Sequence, residues 1–158
     1  MLARSTQSNM KVYAENREAH FNYEVLEKFA AGLVLNGQEV KSIKTGRATL
    51  RGSYVVLKNS EAFLTGSAIP PYQPNNAPKD YDPQRLRKLL LTKKELNYLI
   101  GKSNEKGLAL IPLKLFDNRA MIKLEFGLGK GKKKKDKRES IKKKESEREI
   151  ERELKTRG

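Results

Sequence analysis

The chain has 158 residues, a length that suits one domain with extensions and allows a real hydrophobic core. It contains 34 Lys and Arg against 19 Asp and Glu, a net charge of +15, and no cysteine, which excludes disulfides, thiol nucleophiles and cysteine-ligated zinc. No apolar run approaches the ~18 residues of a membrane span, and residues 1–10 lack the apolar stretch of a secretory signal. These features predict a soluble, cytoplasmic protein with a flexible N-terminus over residues 1–11.

Positive charge occurs in both parts of the chain. Residues 129–158 contain 14 basic and seven acidic residues, and residues 1–128 contain 20 basic and 12 acidic ones. A tail that only aided solubility would not require a basic body as well. Clustered Lys and Arg bind phosphates favourably because counterions are released, so a nucleic acid is the simplest partner for both parts.

Residues 19–69 read as strands around one short helix. The apolar run after residue 28 contains Gly32, which indicates a bulge or a sharp bend, and Asn36-Gly37 indicates a turn. Alternation of apolar and polar residues predicts half-buried strands. Strands are predicted at residues 19–28, 29–35, 53–58 and 62–69, the last two as a hairpin, with one or two helical turns at residues 39–45.

Residues 70–107 begin with a proline-rich loop and continue as two helices. Five prolines between Pro70 and Pro83 exclude regular structure there. Asp82-Pro83 has the residue types that open a helix, and the spacing of Thr92 and Glu95 predicts a capping box for a second helix. That helix is predicted to end at Gly101 or Gly107, with Gly107 favoured. The apolar stripe of the first helix would be Leu86, Leu89 and Leu90, with Arg85, Arg87 and Lys88 along its sides.

Two further strands complete the body, at residues 108–116 and 120–126, joined by a turn at Asp117-Asn118. Pro112 indicates an edge or a bulge in the first of them. Six antiparallel strands within ~105 residues close most economically as a small barrel, which also removes exposed edges. The prediction is a mainly β fold with flanking helices, a six-stranded antiparallel barrel of the oligonucleotide-binding (OB) type over residues 12–128. An open α+β sheet is the alternative.

The tail, residues 129–158, differs in kind from the body. Its first ten residues carry seven Lys or Arg and one acid, and its only large apolar residues are Ile141, Ile150 and Leu154. Three such side chains cannot bury enough surface to offset the entropy of ordering the segment. The tail is therefore predicted to be disordered, or helical only when RNA phosphates hold it.

Candidate catalytic residues are few. Glu39-Val-Lys41 matches the second half of a PD…ExK nuclease site, but that site needs an upstream aspartate for its metal, and the first aspartate of the chain is Asp80. The favoured interpretation is that Glu39 and Lys41 are exposed flanks of a short helix whose Val40 packs inward. His20 is the only histidine, with no serine elbow or phosphate-cradling loop beside it. The sequence predicts no catalytic residue, metal site or cofactor.

Five aromatic side chains could stack on RNA bases. They are Tyr13, Phe21, Tyr23, Tyr54 and Tyr72. Phe21, Tyr23 and Tyr54 fall mostly at inward strand positions, so core packing is favoured for these three.

Several motifs follow one another in the order and spacing of a known family. They are Gly37-x-Glu-Val-Lys-Ser-Ile-Lys-x-Gly46-Arg47, Ser53-Tyr54, Glu61-Ala-Phe-Leu64, Asp82-Pro-x-Arg-x-Arg-Lys-Leu-Leu-Leu91 and Gly131-Lys-Lys-x-x-Asp-Lys-Arg138. From about Val12 to its end, the chain resembles the small protein B (SmpB) family of bacteria, also called SsrA-binding proteins, which bind transfer-messenger RNA.

The resemblance implies an OB-type barrel that grips the tRNA-like domain of transfer-messenger RNA and brings it to stalled ribosomes for trans-translation. It implies a tail that reads the decoding centre, lined by small-subunit ribosomal RNA, and folds along the empty message channel. The protein would act as a monomer, one per RNA, without a membrane, a cofactor or enzyme activity. A structural ribosomal protein and a metal nuclease that uses Glu39 and Lys41 are the rival hypotheses.

The resemblance also assigns residues by position. RNA contacts of the family fall on Asn16 and Leu90, and its decoding motif falls on Asp136, Lys137 and Arg138. With the basic residues around them, the predicted RNA-contacting residues of the body are Asn16, Lys41, Arg47, Arg85, Arg87, Lys88 and Leu90. Those of the tail are Lys130, Lys132, Lys133, Lys134, Lys135, Asp136, Lys137, Arg138 and Leu154.

Two positions depart from the family pattern. Ala30 stands where the family usually has Glu, so one polar RNA contact is missing or is replaced by Lys28. Lys135 stands where relatives often carry a ring that stacks on a ribosomal base, so an ionic contact would have to substitute there.

Overall fold

The computed structural model describes residues 10–119 and 121–132. Residues 1–9 of the predicted flexible N-terminus and residues 133–158 of the predicted tail lie outside this part of the chain. No helix within it is long and apolar enough to cross a membrane. Its strands and α-helices, in chain order, are β1 (Val12–Glu15), α1 (Ala19–Asn22), β2 (Tyr23–Leu33), α2 (Gly37–Lys44), β3 (Tyr54–Lys58), β4 (Glu61–Thr65), β5 (Arg87–Leu90), α3 (Lys93–Ser103), β6 (Leu108–Asn118) and β7 (Met121–Gly131).

Six antiparallel strands close into a barrel in the order β6-β3-β4-β5-β2-β7, and β7 pairs back to β6. Each ring strand therefore has a neighbour on both sides. β1 lies outside the ring and pairs with β6. The prediction of a mainly β barrel of the OB type is confirmed.

The barrel interior is filled by alternate residues of the strands and by one face of each longer helix. Ile43 of α2 and Leu99 of α3 are both 0% exposed and belong to the same apolar cluster as the strands. On β7 the inward residues follow the predicted alternation, with Ile122, Leu124 and Phe126 in the core. The helices thus complete the apolar interior, and the strands present their other face outward.

Two local predictions are confirmed. β3 and β4 form a hairpin whose turn, Asn59-Ser60, has φ values of 52° and 59°, as a two-residue hairpin turn requires. At the start of α3, the Thr92 hydroxyl oxygen accepts the Glu95 N–H at 3.2 Å, and the Glu95 carboxylate accepts the Thr92 N–H at 3.2 Å. The helix ends at Ser103 rather than at Gly107, whose φ of 82° belongs to the turn that leads into β6.

The first predicted strand begins too early. Its first four residues form the helical turn α1, in which the Asn22 N–H donates to the Glu18 carbonyl oxygen at 2.9 Å. The remaining residues and the next predicted strand are one strand, β2. The irregularity in its pairing lies between Val25 and Glu27, not at Gly32.

The predicted helix after Asp82-Pro83 is wrong. The chain turns there and then forms β5, between β4 and β2. Along β5, Arg87 and Leu89 are buried while Lys88 and Leu90 are exposed, the two-residue period of a strand. The spacing of the leucines also fits the apolar stripe of a helix. The two-residue period of a strand becomes regular only if Arg87 is counted as buried, and a buried arginine is not expected from sequence pattern.

Strand β7 continues past residue 129, the predicted start of the tail. β7 continues to Gly131, and it pairs Gly129 with Val25 and Gly131 with Tyr23 of β2. A Cβ atom on Gly129 would lie 3.2 Å from the Cβ of Tyr23, so glycine permits the two strands to approach here. The next residue, Lys132, donates its N–H to the carbonyl oxygen of the last residue of α1 at 2.9 Å.

Candidate nucleic-acid interface

One outer surface of the barrel brings together several predicted RNA-contacting residues. Side chains alternate along strands, so Lys28 and Ala30 of β2 and Lys88 and Leu90 of β5 all point away from the core, and all four are exposed. The two strands pair at Gly32 and Leu90. The four exposed residues and Gly32 together are called the β2–β5 face below.

Leu90 is the apolar centre of the β2–β5 face. It is 51% exposed, and its Cδ1 would lie only 3.5 Å from a Cβ on Gly32, so the leucine side chain lies close over the neighbouring strand. Lys88, on the same side of β5, contacts Glu61 at 3.2 Å. An exposed apolar side chain flanked by ammonium groups suits RNA, because bases and riboses offer apolar surface beside phosphates.

A groove of about 500 Å³ lies beside the β2–β5 face and shares Lys28 with it. Among the residues of this groove, Asn16 is a predicted RNA contact, and Lys28 is the predicted replacement for a missing one. The other groove residues carry no such sequence signal, and Lys114 and Glu125 come from strands far from Asn16 in the chain. The groove is lined by Asn16, Arg17, His20, Lys28, Lys114 and Glu125, among others.

Asn16 is held rigidly at the groove. It is 8% exposed, its backbone N–H donates to the Leu113 carbonyl oxygen at 2.8 Å, and its Nδ2 donates to the Pro112 carbonyl oxygen at 3.0 Å. The pairing of β6 with β7 shifts between Pro112 and Lys114, as the proline predicted. Asn16 therefore bonds the β6 backbone at the bulge, which fixes its position beside the groove.

Arg85, Arg87 and Lys88, predicted to line the sides of one helix, do not form one exposed surface. Arg87 is 0% exposed, with its Nε donating to Glu39 at 2.7 Å and its Nη atoms donating to the carbonyl oxygens of Ser67 at 2.6 Å and Pro83 at 2.9 Å. Its guanidinium is committed inside the protein, so the prediction that Arg87 contacts RNA from an exposed helix face is wrong. Of Arg87 and Lys88, only Lys88 points to the β2–β5 face.

Glu39, expected to be exposed, is also 0% exposed. Its Oε1 accepts hydrogen bonds from Arg85 Nη2 at 2.6 Å and from the Asn36 N–H at 3.0 Å. Burial alone would raise the pKa of Glu39, but the hydrogen bonds from Arg85, Asn36 and Arg87 outweigh burial and hold this pKa below its ordinary value. Arg85, which is 40% exposed at its side chain, is thus partly engaged in the same network.

The geometry gives no basis for the nuclease hypothesis. The Glu39 carboxylate is enclosed by two arginines rather than open to a cation, and Lys41 is exposed on α2. Across residues 10–119 and 121–132, no three His, Cys, Asp or Glu side chains are grouped as a metal site. The ion pairs of Glu39 with Arg85 and Arg87 neutralise charge inside the fold and join α2 to β5.

Lys41 and Arg47 form a separate basic site with Tyr72. The Lys41 Nζ lies 5.9 Å and the Arg47 Cζ 5.7 Å from the centre of the Tyr72 ring, and Arg47 Nη1 donates to the Tyr72 carbonyl oxygen at 3.1 Å. Lys41 also lines a cleft of about 370 Å³ with Pro78 and Tyr81. These contacts attach the proline-rich loop to α2, and the role of both cations in RNA binding stays a prediction.

The aromatic predictions are partly wrong. Tyr54 is 44% exposed on the outside of β3 rather than packed in the core. Tyr23 is partly buried against Ile111 and Leu113, in a small apolar cluster outside the barrel, and the pKa of its hydroxyl is raised by a hydrogen bond with Tyr54 and by burial. Tyr13 donates its hydroxyl to the Asp117 carboxylate at 2.8 Å.

The first residues of the predicted tail are anchored to the body. Lys130 lies within β7 and is exposed. Lys132 donates its Nζ to the His20 carbonyl oxygen at 2.8 Å, which adds to its backbone bond with α1. The other predicted tail contacts, Lys133, Lys134, Lys135, Asp136, Lys137, Arg138 and Leu154, lie outside the described residues.

Comparison with known proteins assigns the family. The family model described as SmpB protein matches residues 13–156. The chain belongs to the SmpB family. The matched range includes both the barrel and nearly all of the tail, so the SmpB pattern extends over the part of the chain that composition alone separates from the body.

Curated SmpB relatives are similar over nearly their whole length. An SsrA-binding protein of Thermosynechococcus vestitus is 46% identical over 149 residues, which cover 94% of this chain and 98% of the relative. One of Carboxydothermus hydrogenoformans is 48% identical over 147 residues, covering 93% and 98%. A solved chain described as "tmRNA-SmpB: a journey to the center of the bacterial ribosome" is 41% identical, with a TM-score of 0.64, and the match covers 80% of this chain and 92% of that one.

Proposed function

We propose that this protein binds the tRNA-like domain of transfer-messenger RNA and carries it to stalled ribosomes in the cytoplasm. The observation that carries the proposal is the similarity to SsrA-binding proteins over almost the full length of both chains. The β2–β5 face and the adjoining groove supply the matching chemistry, an exposed leucine among lysines and a rigid asparagine. The protein acts as a non-catalytic adaptor, and peptidyl transfer is left to the ribosome.

The barrel and the tail divide this work. The barrel holds a folded RNA by shape, phosphate contacts and a few base contacts. The tail, whose sequence cannot form a core of its own, threads into the decoding centre and the empty message channel and orders there. Asp136, Lys137 and Arg138 read the decoding centre, and Leu154 anchors the tail further along. One protein acts with one RNA.

Replacing Leu90 by alanine tests the assignment of the RNA surface. A half-exposed leucine that becomes covered by RNA contributes about 1 kcal/mol, so Leu90→Ala is expected to weaken binding to transfer-messenger RNA about fivefold. The measurement is the equilibrium dissociation constant at fixed salt, with wild type and variant side by side.

Leu26 offers a matched control, because it is 50% exposed, lies at the irregular pairing of β2 and is not one of the residues that make up the β2–β5 face. Leu26→Ala should bind as wild type does. Equal losses from both substitutions, or no loss from Leu90→Ala, would move the RNA to another surface. If the wild-type protein bound transfer-messenger RNA no more tightly than a structured RNA of similar length, the proposed function itself would be rejected.

A further inference from the structure

Glu125 is one of two acids, with Glu15, in a groove that is also lined by Arg17, Lys28 and Lys114. It lies on β7 directly opposite Ala30 of β2, so the residue across the strand is too short to cover its carboxylate. Its side chain is 23% exposed and contributes to the wall of the groove that contains Asn16. A groove that bound phosphates alone would gain nothing from a negative charge at this place, because that charge repels the phosphates.

The Glu125 carboxylate keeps its capacity to accept hydrogen bonds. The Nζ of Lys28 lies 4.0 Å from its Oε1, and the Nζ of Lys114 lies 3.6 Å from its Oε2. Both distances exceed those of N–H···O hydrogen bonds, about 2.7–3.2 Å. Among residues 10–119 and 121–132, no donor forms a hydrogen bond to this carboxylate. Two side-by-side oxygens therefore face the groove without a hydrogen-bond donor.

RNA offers donors to such a carboxylate only on its bases and riboses. An unpaired guanine presents N1–H and N2–H side by side on its Watson–Crick edge, which matches the two oxygens of a carboxylate. Uracil presents a single N–H between two carbonyl oxygens, and the carboxylate would repel those oxygens. The flanking Lys28 and Lys114 are placed to contact the phosphates of the same strand. The groove volume of about 500 Å³ lies within the range of pockets that hold small ligands, about 300–1,000 Å³.

We propose that Glu125 is a specificity-determining residue that accepts two hydrogen bonds from an unpaired guanine seated in this groove. The proposal rests on the RNA-binding function above and deepens it, since it names the nucleotide that the body reads directly. Asn16, fixed by the β6 backbone, forms the neighbouring wall and limits the position of the base.

The test uses the full-length protein and single-stranded RNAs of about 12 nucleotides, a length within the footprint of an OB-type barrel. One strand is uridine throughout, and the other carries one central guanosine. Wild type is expected to prefer the guanosine strand about tenfold, the contribution of one good bidentate contact. Glu125→Gln replaces one acceptor with a donor, so it should lose this preference while its binding to the uridine strand stays equal or improves.

Glu61→Gln is the matched control, because Glu61 is an exposed carboxylate paired to Lys88 at 3.2 Å beside the β2–β5 face. This variant should keep the guanosine preference, and thermal unfolding should show that both variants remain folded. The inference is overturned if wild type shows no preference for guanosine, or if Glu125→Gln keeps it. Neither result depends on transfer-messenger RNA, so failure here is distinct from failure of the proposed function, which the comparison with a control RNA decides.

Discussion

Replacing Glu39 by alanine is expected to destabilise the barrel by about 3–5 kcal/mol, because it leaves the buried guanidinium of Arg87 without its anionic partner. The Glu39 carboxylate and the Arg87 side chain are both 0% exposed and meet at 2.7 Å. Arg87→Ala should cost a similar amount, since it leaves the carboxylate buried. Urea unfolding followed by circular dichroism measures both values.

The control pair is Glu61 and Lys88, which meet at 3.2 Å but are 47% and 45% exposed at their side chains. Breaking that pair should change the free energy of unfolding by less than about 1 kcal/mol. Removing both partners at once, with Glu39→Ala and Arg87→Ala in one chain, should cost less than the sum of the two single changes. Additive losses, or losses as small as those of the control pair, would contradict the structural role given to Arg87.

The same network predicts how stability depends on pH. The pKa of Glu39 is lower in the folded protein than its ordinary value of 4.5. A lowered pKa contributes stability that is fully present above the ordinary value and is lost as the pH falls through the folded-state pKa. The difference in unfolding free energy between wild type and Glu39→Gln should therefore shrink on acidification below about pH 4.5. A difference that is constant from neutral pH to about pH 3 would be inconsistent with this assignment.

The second large effect is expected from the tail. Changing Asp136, Lys137 and Arg138 together to alanine should abolish peptide tagging in a reconstituted translation system and leave affinity for transfer-messenger RNA within about twofold of wild type. The reason is that, in the proposed function, the barrel holds the RNA while these residues act at the decoding centre. Affinity and tagging are measured on the same preparation. Tagging at the wild-type level would remove the decoding role, and a large loss of RNA affinity would contradict the division of labour.

The structure also decides where a truncation should start. Because β7 runs to Gly131 and Lys132 bonds α1, removing residues 133–158 leaves the barrel pairings intact. Removing residues 129–158 takes away four residues that pair with or bond to the body. The shorter deletion should match the triple substitution in both assays. The longer one should also lower the free energy of unfolding, which provides an internal control for damage to the barrel.

Sequence pattern predicted the barrel where its alternation is plain. β7 shows plain apolar alternation, β6 is a nearly continuous apolar run, and the hairpin at Asn59-Ser60 has apolar strands on both sides of clear turn residues. β5 was missed because its inward position holds Arg87, which only Glu39, distant in sequence, makes compatible with burial. β1 was missed because it is four residues long and its burial pattern is weak. Local sequence patterns thus predicted the strands that have a clear apolar pattern of their own. They failed at β5, whose burial depends on an ion pair between residues far apart in the chain.

The residues of the candidate site were likewise predicted in part from local sequence and in part not at all. Asn16 and Leu90 were assigned by matching motifs, and Lys88 by charge, but only strand register places Lys88 and Leu90 on one face. No sequence signal linked Glu125 to Asn16, because their proximity depends on the bulge in β6 and on the pairing of β7 with β2. Burial of Arg87 removed one predicted contact for an equally non-local reason.

The most direct test of the account is to capture the tagged full-length protein from cells and sequence the RNA that accompanies it. Transfer-messenger RNA is expected to be the dominant species. Leu90→Ala should reduce its recovery relative to Leu26→Ala, and deletion of residues 133–158 should not. Recovery of ribosomal RNA at fixed stoichiometry from all four proteins, without enrichment of transfer-messenger RNA, would contradict it and favour a structural ribosomal protein.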